Sequence, residues 1–282
     1  MRIVSLLPGA TETLFALGLG DDVVGVTHEC DHPPAALRLP RVTRSNLALD
    51  GLGGGAIDAA VTEAVAAGRR LHSVDTDAVR DLRPDLVVAQ DVCEVCAVAA
   101  GHVEDELAGI PVLRQHQHSL GDVLAGIEEL ARACGVDARP LLSDLRGRIR
   151  SVSEAAGRRP PVPGVFLEWL DPPYPAGHWT PDLLRLAGVD DPLAVAGRPS
   201  VPATWGAVRS AAPELLLLAP CGLAAEQARR EVERMASEVN RTGARRVRVF
   251  DGSAFFNRPG PRLVDSLELL AAEVALAAAA ES

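Results

Sequence analysis

Short β-branched or leucine-rich runs alternate along the chain with longer stretches whose apolar residues recur every three or four positions. Runs of the first kind fit buried strands, and those of the second kind fit amphipathic helices. Strands are predicted at Ile3–Leu6, Asp22–Val26, Leu86–Ala89 and Val112–Leu113, and again at Gly164–Leu167, Leu215–Leu218 and Val247–Phe250. Helices are predicted at Thr11–Leu17, Ile57–Ala67, Val103–Leu107, Leu120–Cys134, Leu141–Ala156, Pro181–Ala187, Ala224–Val239 and Pro261–Ala279. Such alternation builds α/β layers around mainly parallel sheets.

Two features divide the chain. The stretch Leu141–Ala156 carries Leu141, Leu142, Leu145, Ile149 and Val152 on one side and stops at Gly157-Arg158-Arg159-Pro160-Pro161. A glycine followed by two prolines ends a helix and extends the chain beyond it. The second feature is an internal echo. Val79-Arg80-x-x-x-Pro84-Asp85-Leu86-Val87-Val88 returns as Val208-Arg209-x-x-x-Pro213-Glu214-Leu215-Leu216-Leu217, and Leu14–Gly18 returns as Leu183–Gly188. The echoes keep their order, which predicts two similar lobes. We divide the chain into an N-terminal α/β lobe (1–137), an interlobe helix and linker (138–160) and a C-terminal α/β lobe (161–282). The predicted fold is α/β, with two Rossmann-like lobes on one long rigid helix and a ligand cleft between them.

Composition narrows the function. The 282 residues are 48% hydrophobic and 23% charged, enough for a sizeable core in one large or two medium domains. A net charge of −10 repels polyanions, so nucleic acid is not an expected partner. Every one of the 28 basic residues is arginine. Without lysine there is no Schiff base, no pyridoxal phosphate attachment and no Walker lysine, so Gly53-Gly54-Gly55 is not a phosphate loop. Met1 leads directly into a strand, with no charged and apolar leader and no run of the ~18–20 apolar residues that span a bilayer. These features predict a cytoplasmic protein with no membrane insertion. Five cysteines, two of them spaced C-x-x-C, read as metal, redox or buried thiols rather than a disulfide framework.

In open parallel sheets, ligands bind beyond the carboxyl ends of the strands. The segments there are rich in chemistry. His28, Cys30, Cys93 and Cys96 have donor types and spacing that suit a thiophilic ion such as zinc. Equally, Cys93 and Cys96 fit as small hydrophobes at a helix start. His116 and His118 lie at i, i+2 before a helix whose start either His118 or Ser119 sets. Pro8-Gly9-Ala10-Thr11 opens a helix, with Thr11 a candidate cap and free N–H groups that suit an anion or amide oxygen.

Eight of the nine aromatics lie between Phe166 and Phe256. Trp169, Tyr174, Trp179, Trp205, Phe255 and Phe256 fall in predicted loops, where a flat ligand, lobe packing or a partner would each explain them. Glu168 sits beside them, His178 adjoins Trp179 as a clamp or a packed loop residue, and Arg258 and Arg262 suit a ligand's carboxylates or amides. No G-x-S-x-G, H-E-x-x-H or D-x-H-x-x-G pattern is present, so no catalytic set stands out.

Ser5-Leu6-Leu7-Pro8-Gly9-Ala10-Thr11-Glu12, Val26-Thr27-His28-Glu29-Cys30, Pro84–Val88, Gln90–Cys96, Gly177-His178-Trp179, Pro220-Cys221-Gly222 and Arg258-Pro259-Gly260-Pro261-Arg262 together resemble the class III, helical-backbone substrate-binding proteins. The resemblance spans essentially the whole chain and points to the branch related to cobalamin-binding proteins. It implies two lobes on one helix, holding cobalamin or another metal chelate between them without catalysis. The ligand-binding set is then Pro8, Gly9, Ala10, Thr11, Glu168, Trp169, Tyr174, His178, Trp179, Phe256, Arg258 and Arg262. Lacking a leader or lipoprotein cysteine, the chain is not expected to serve a transporter. The alternative is a metal-dependent enzyme or zinc-binding protein that reuses the fold, with Glu29 or Glu94 as base. The sequence leaves the oligomeric state open.

Overall fold

The computed structural model describes residues 1–91, 103–104 and 106–279. In chain order the first lobe holds β1 (Ile3–Ser5), α1 (Pro8–Ala16), β2 (Val23–Val26), β3 (Thr43–Ser45), α2 (Gly54–Ala66), β4 (His72–Val74), α3 (Thr76–Asp81), β5 (Leu86–Gln90), β6 (Val112–Gln115) and α4 (Leu120–Ala133). The connecting helix α5 runs Arg139–Ala156. The second lobe holds β7 (Val162–Leu170), β8 (Pro173–Pro175), α6 (Thr180–Ala187), β9 (Val189–Asp190), α7 (Trp205–Ser210), β10 (Leu215–Leu218), α8 (Ala225–Arg234), α9 (Ala236–Arg241), β11 (Arg246–Val249), α10 (Gly252–Phe255) and α11 (Leu263–Ala279).

The two main sheets share one topology. The first runs β2-β1-β5-β6 and the second β9-β7-β10-β11, with every one of these pairings parallel. The second lobe adds β8, antiparallel to β7, and the first adds a small antiparallel β3–β4 pair. The sequence echo extends to the backbone. Asp75 caps α3 and Thr204 caps α7, each accepting the N–H three residues on. Each helix then ends before a proline at a non-glycine residue with positive φ, Arg83 at 46° and Ala212 at 45°. Two residues further, Asp85 N–H donates to Arg2 O and Glu214 N–H to Pro163 O. One helix–turn–strand unit is thus built twice.

Successive strand residues point to opposite faces, and this sorts the core. Ile3 and Val88 pack under α1 while Val4 and Val87 pack under α3. In the second lobe Phe166, Leu215 and Leu217 meet α6 and α11, while Val165, Leu216 and Leu218 meet α7 and α9. Helix α5 buries Leu142 and Leu145 against α4, and its Arg148 forks onto Glu268 (2.8 and 2.6 Å) and reaches Asp265 (2.5 Å) of α11. The connecting helix is therefore tied to both lobes.

Differences from the sequence-based expectation are local. The stretch Ala224–Val239 is two helices, because Met235 leaves the helical basin at ψ 10°. Strand β7 runs to Leu170, past the apolar stretch that predicts it, because its far end pairs with β8. No helix among the described residues is long and apolar enough to cross a membrane.

Candidate functional site

The carboxyl ends of the two parallel sheets carry loops that meet along a seam. Among the described residues, three groups of contacts cross it.

The first is an ion cluster. Arg262 from the second lobe forks onto Glu12 of α1, with Nε 2.9 Å and Nη2 2.5 Å from its carboxylate oxygens. Arg258 lies 3.5 Å from the same carboxylate, pairs with Asp31 through both guanidinium ends, and donates to Glu29 O at 3.2 Å. Only 5% of the Arg258 side chain and 3% of Glu12 are exposed. Burial acts against ionised Asp31, but the Arg258 hydrogen bonds and charge outweigh it and hold the pKa below the usual carboxylate range. The sequence assigns both arginines to carboxylates or amides of a ligand. The structure corrects this, because protein carboxylates from the opposite lobe already fill both guanidinium forks.

The start of α1 is likewise covered. The Pro259 carbonyl approaches Gly9 so closely that a Cβ there would collide with it, and Gly260 stacks on the Gly9 backbone. Pro8, Gly9 and Ala10 thus pack against the second lobe rather than presenting an anion site. Thr11 is not the cap either, since Leu7 holds that position. Its buried hydroxyl lies 2.8 Å from Ser5 Oγ and 3.1 Å from Cys30 Sγ.

The second group joins the loop after β6 to the loop after β8. His118 and His178 have ring centres 6.0 Å apart, with planes 19° from parallel. Beside them Leu120 N–H donates to Asp182 at 3.1 Å. Ser119 caps α4 in a reciprocal box with Asp122. This settles which residue sets the helix start and leaves the His118 ring for other work.

The third group clasps the N-terminus of α2. Gly54 N–H donates to the buried Glu231 carboxylate at 3.0 Å, and the Asp171 carboxylate lies against Gly55. Anionic groups at a helix N-terminus complement its partial positive charge. One turn on, Tyr174 O–H donates to Asp58 at 2.9 Å. Burial and the Asp58 charge push the Tyr174 pKa up to about 12. Helix α2 is therefore a first-lobe element held by the second lobe. The sequence yields only its apolar portion and none of these partners.

The aromatic set divides in two. Trp169 and Tyr174 are half-buried on the seam, with Trp169 Nε1–H donating to Asp171 O at 3.1 Å. Trp179 and Phe256, assigned to ligand contact by the sequence, belong to the second-lobe core. Trp179 is 7% exposed and donates to Phe256 O at 2.8 Å, and Phe256 is 1% exposed between Phe166 and Phe250. Trp205 donates to Leu170 O at 3.1 Å, and Phe255 packs on the same core as Phe256. The loop placement that marks these residues in the sequence does not separate a ligand face from the underside of a loop.

Of the soft-donor set, only His28 and Cys30 lie among the described residues. Cys30 is fully buried, and burial pushes its thiol pKa up to about 11, far from a metal-ready thiolate. His28 Nδ1 lies 2.7 Å from Thr43 Oγ1, inside the first lobe. Cys93 and Cys96 lie outside the described residues. Among those described, no group of three or more His, Cys, Asp or Glu is placed to hold a metal.

Glu168 ends as a carboxyl turned inward, accepting from Gly177 N–H at 3.2 Å. Burial raises its pKa to about 7, against weaker support for the charge from Gly177 and Ser200. The folded state therefore retains a proton that the unfolded chain releases near pH ~4.3. Stability from this group is complete below that pH and falls as pH rises toward about 7. Glu168→Gln mimics the protonated form. Its melting temperature is expected to match wild type near pH 4.5 and exceed it increasingly up to pH 8. A difference that stays flat across that range refutes the buried carboxyl.

The vitamin B12-binding protein of Vibrio cholerae is 26% identical over 200 residues, covering 66% of this chain and 59% of that protein. An uncharacterised ABC transporter substrate-binding lipoprotein of Bacillus subtilis, YvrC, is 30% identical over 159 residues, covering 55% and 41%. The chain thus aligns with little more than half the length of these relatives, or less. Among solved structures, the periplasmic vitamin B12-binding protein BtuF of Vibrio cholerae superposes with a TM-score of 0.70 at 21% identity, over 98% of this chain and 97% of that one. A periplasmic haem-binding protein from Pseudomonas aeruginosa gives 0.72 at 23% identity, over 96% and 91%. These likenesses show the two-lobed fold. A family model described as periplasmic binding protein matches residues 3–246, and with the lobes, the connecting helix and the seam in place, the chain belongs to that family.

Proposed function

We propose that this protein is a receptor for a flat metal chelate of the corrinoid or haem kind, taken up along the seam between its lobes. The observation that carries the proposal is the seam itself. Both sheets direct their carboxyl ends to it, and Trp169, Tyr174 and the two imidazoles stand half-buried along it. Aromatic and imidazole groups around a few fixed polar partners suit a ligand with broad apolar faces. The relatives described as vitamin B12-binding and haem-binding support the ligand class. YvrC, described as an ABC transporter substrate-binding lipoprotein, supports extending the proposal to delivery to such a transporter. The expectation that no transporter is involved finds no support among the relatives. The zinc alternative finds no support among the described residues, and Cys93 and Cys96 lie outside them.

The test is a titration of the folded chain with hydroxocobalamin and, separately, with haemin, read by tryptophan fluorescence. Saturable quenching by one of them, lost in Trp169→Phe but retained in Trp205→Phe, is the expected result. No saturable change with either compound up to high micromolar concentration overturns the proposal.

A further inference from the structure

The contact between His118 and His178 has features that loop packing leaves unexplained. The rings come from opposite lobes. Nδ1 of His118 and Nε2 of His178 are both sealed from solvent with no hydrogen-bond partner. A sealed polar atom without a partner is costly to the fold, and each calls for an occupant. The His178 backbone is also unusual. It sits at φ 50°, a region that non-glycine residues seldom adopt. Two main-chain bonds fix it there, its N–H donating to Arg198 O at 2.7 Å and its O accepting from Gly197 N–H at 2.9 Å. The fold thus holds this ring in place against the ring of the other lobe.

A neutral imidazole nitrogen is a ligand for late first-row metal ions. With metal–nitrogen bonds of ~2.0–2.1 Å, two imidazoles sharing one ion have ring centres roughly 5–6 Å apart. The observed separation is 6.0 Å. Burial, with a further contribution from His118, keeps His178 below the usual histidine pKa and so in the unprotonated, ligating form.

We propose that His118 and His178 form an interlobe site for a divalent ion of the cobalt, nickel, copper or zinc class, with one ligand from each lobe. No further acidic, histidine or cysteine side chain completes the set among the described residues, so the remaining coordination positions fall to water or to donors of a small molecule. The proposal goes beyond the chelate-receptor reading and does not require it.

The nearest rival is His28 with His72, whose ring centres are 5.5 Å apart. That pair lies within the first lobe rather than between the lobes; Nδ1 of His28 is engaged by Thr43 at 2.7 Å, and its Nε2, though also without a hydrogen bond, faces the Glu29 carboxylate at 3.5 Å.

The experiment uses the full chain, freed of metal with a chelator, and Ni²⁺ alone as the probe, followed by calorimetry. One ion per chain is expected. His118→Gln and His178→Gln should each weaken binding about tenfold or more, while His28→Gln leaves it unchanged. Ni²⁺ should also selectively broaden the ring-proton resonances of His118 and His178 in the unmutated protein, which tests the site even if a variant misfolds. Absence of binding up to millimolar Ni²⁺ overturns the proposal. So does binding that survives both substitutions, or binding that is lost in His28→Gln or in Cys93→Ser/Cys96→Ser. Because the probe is the ion alone, failure with cobalamin or haemin leaves this result standing, and the converse also holds.

Discussion

Trp179→Ala is expected to cost about 3–5 kcal/mol of folding stability, the usual range for removing a large aromatic from a core. The indole is 7% exposed and belongs to the cluster formed by Phe166, Leu183, Leu217, Phe250, Phe256 and Leu267. Its loss empties that space and strands the Phe256 carbonyl, which now accepts the indole N–H at 2.8 Å. Trp179→Phe retains most of the volume and removes only the hydrogen bond, so it should cost about 1–2 kcal/mol. Denaturant titrations of both variants measure the two values. A loss below about 1 kcal/mol in the alanine variant, together with weakened ligand binding, would return Trp179 to the ligand face that the sequence suggests.

Glu12→Gln is the second large effect. It removes the charge shared by two guanidinium groups while keeping nearly the same shape. Deleting one partner of a buried ion pair costs about 3–5 kcal/mol, because the other charge stays buried without compensation. Asp31 still serves Arg258 here, which places the expected loss near the lower end, about 3 kcal/mol. At ~2–4 °C per kcal/mol, the melting temperature should fall by roughly 6–12 °C. Adding Arg262→Met should restore part of the loss, since it removes the uncompensated charge. The deficit should also persist in high salt, because buried pairs are poorly screened. A salt-sensitive loss below about 1 kcal/mol would identify the cluster as an ordinary surface pairing.

The fold was largely legible because its causes are local. Leu215–Leu218 is a short apolar run that fits a fully buried strand, and the stripe from Leu142 to Val152 fits a helix with one covered face. The repeated Pro-acid turn marks equivalent places in both lobes, down to the backbone of Arg83 and Ala212. Elements without an apolar run escaped. Thr43–Ser45 and His72–Val74 are short and polar, and they form strands only because each pairs with the other.

The site was less legible, for a different reason. Its partners are set by contacts between distant segments. Arg258 and Arg262 read correctly as charges needing an acceptor, but the acceptor, Glu12, lies 246 and 250 positions away. Glu231 looks like one face of a solvated helix, with nothing to announce that Gly54 approaches it. Trp179 and Phe256 fall in the same kind of predicted loop as Trp169, and burial is what distinguishes them. Gly53-Gly54-Gly55 carried the one usable signal, a helix start without side chains. Its purpose is to admit carboxylates from across the seam rather than phosphates.

At Gly9, Gly54 and Gly55 the gap between the lobes is set by atoms that are not there. An added methyl at Gly9 would act as a wedge against the Pro259 carbonyl, and at Gly54 or Gly55 it would displace the Glu231 or Asp171 carboxylate that clasps the start of α2. The spacing of the two lobes is therefore gauged by three hydrogen-only side chains, one on α1 and an adjacent pair at the start of α2, free of any chemistry of their own.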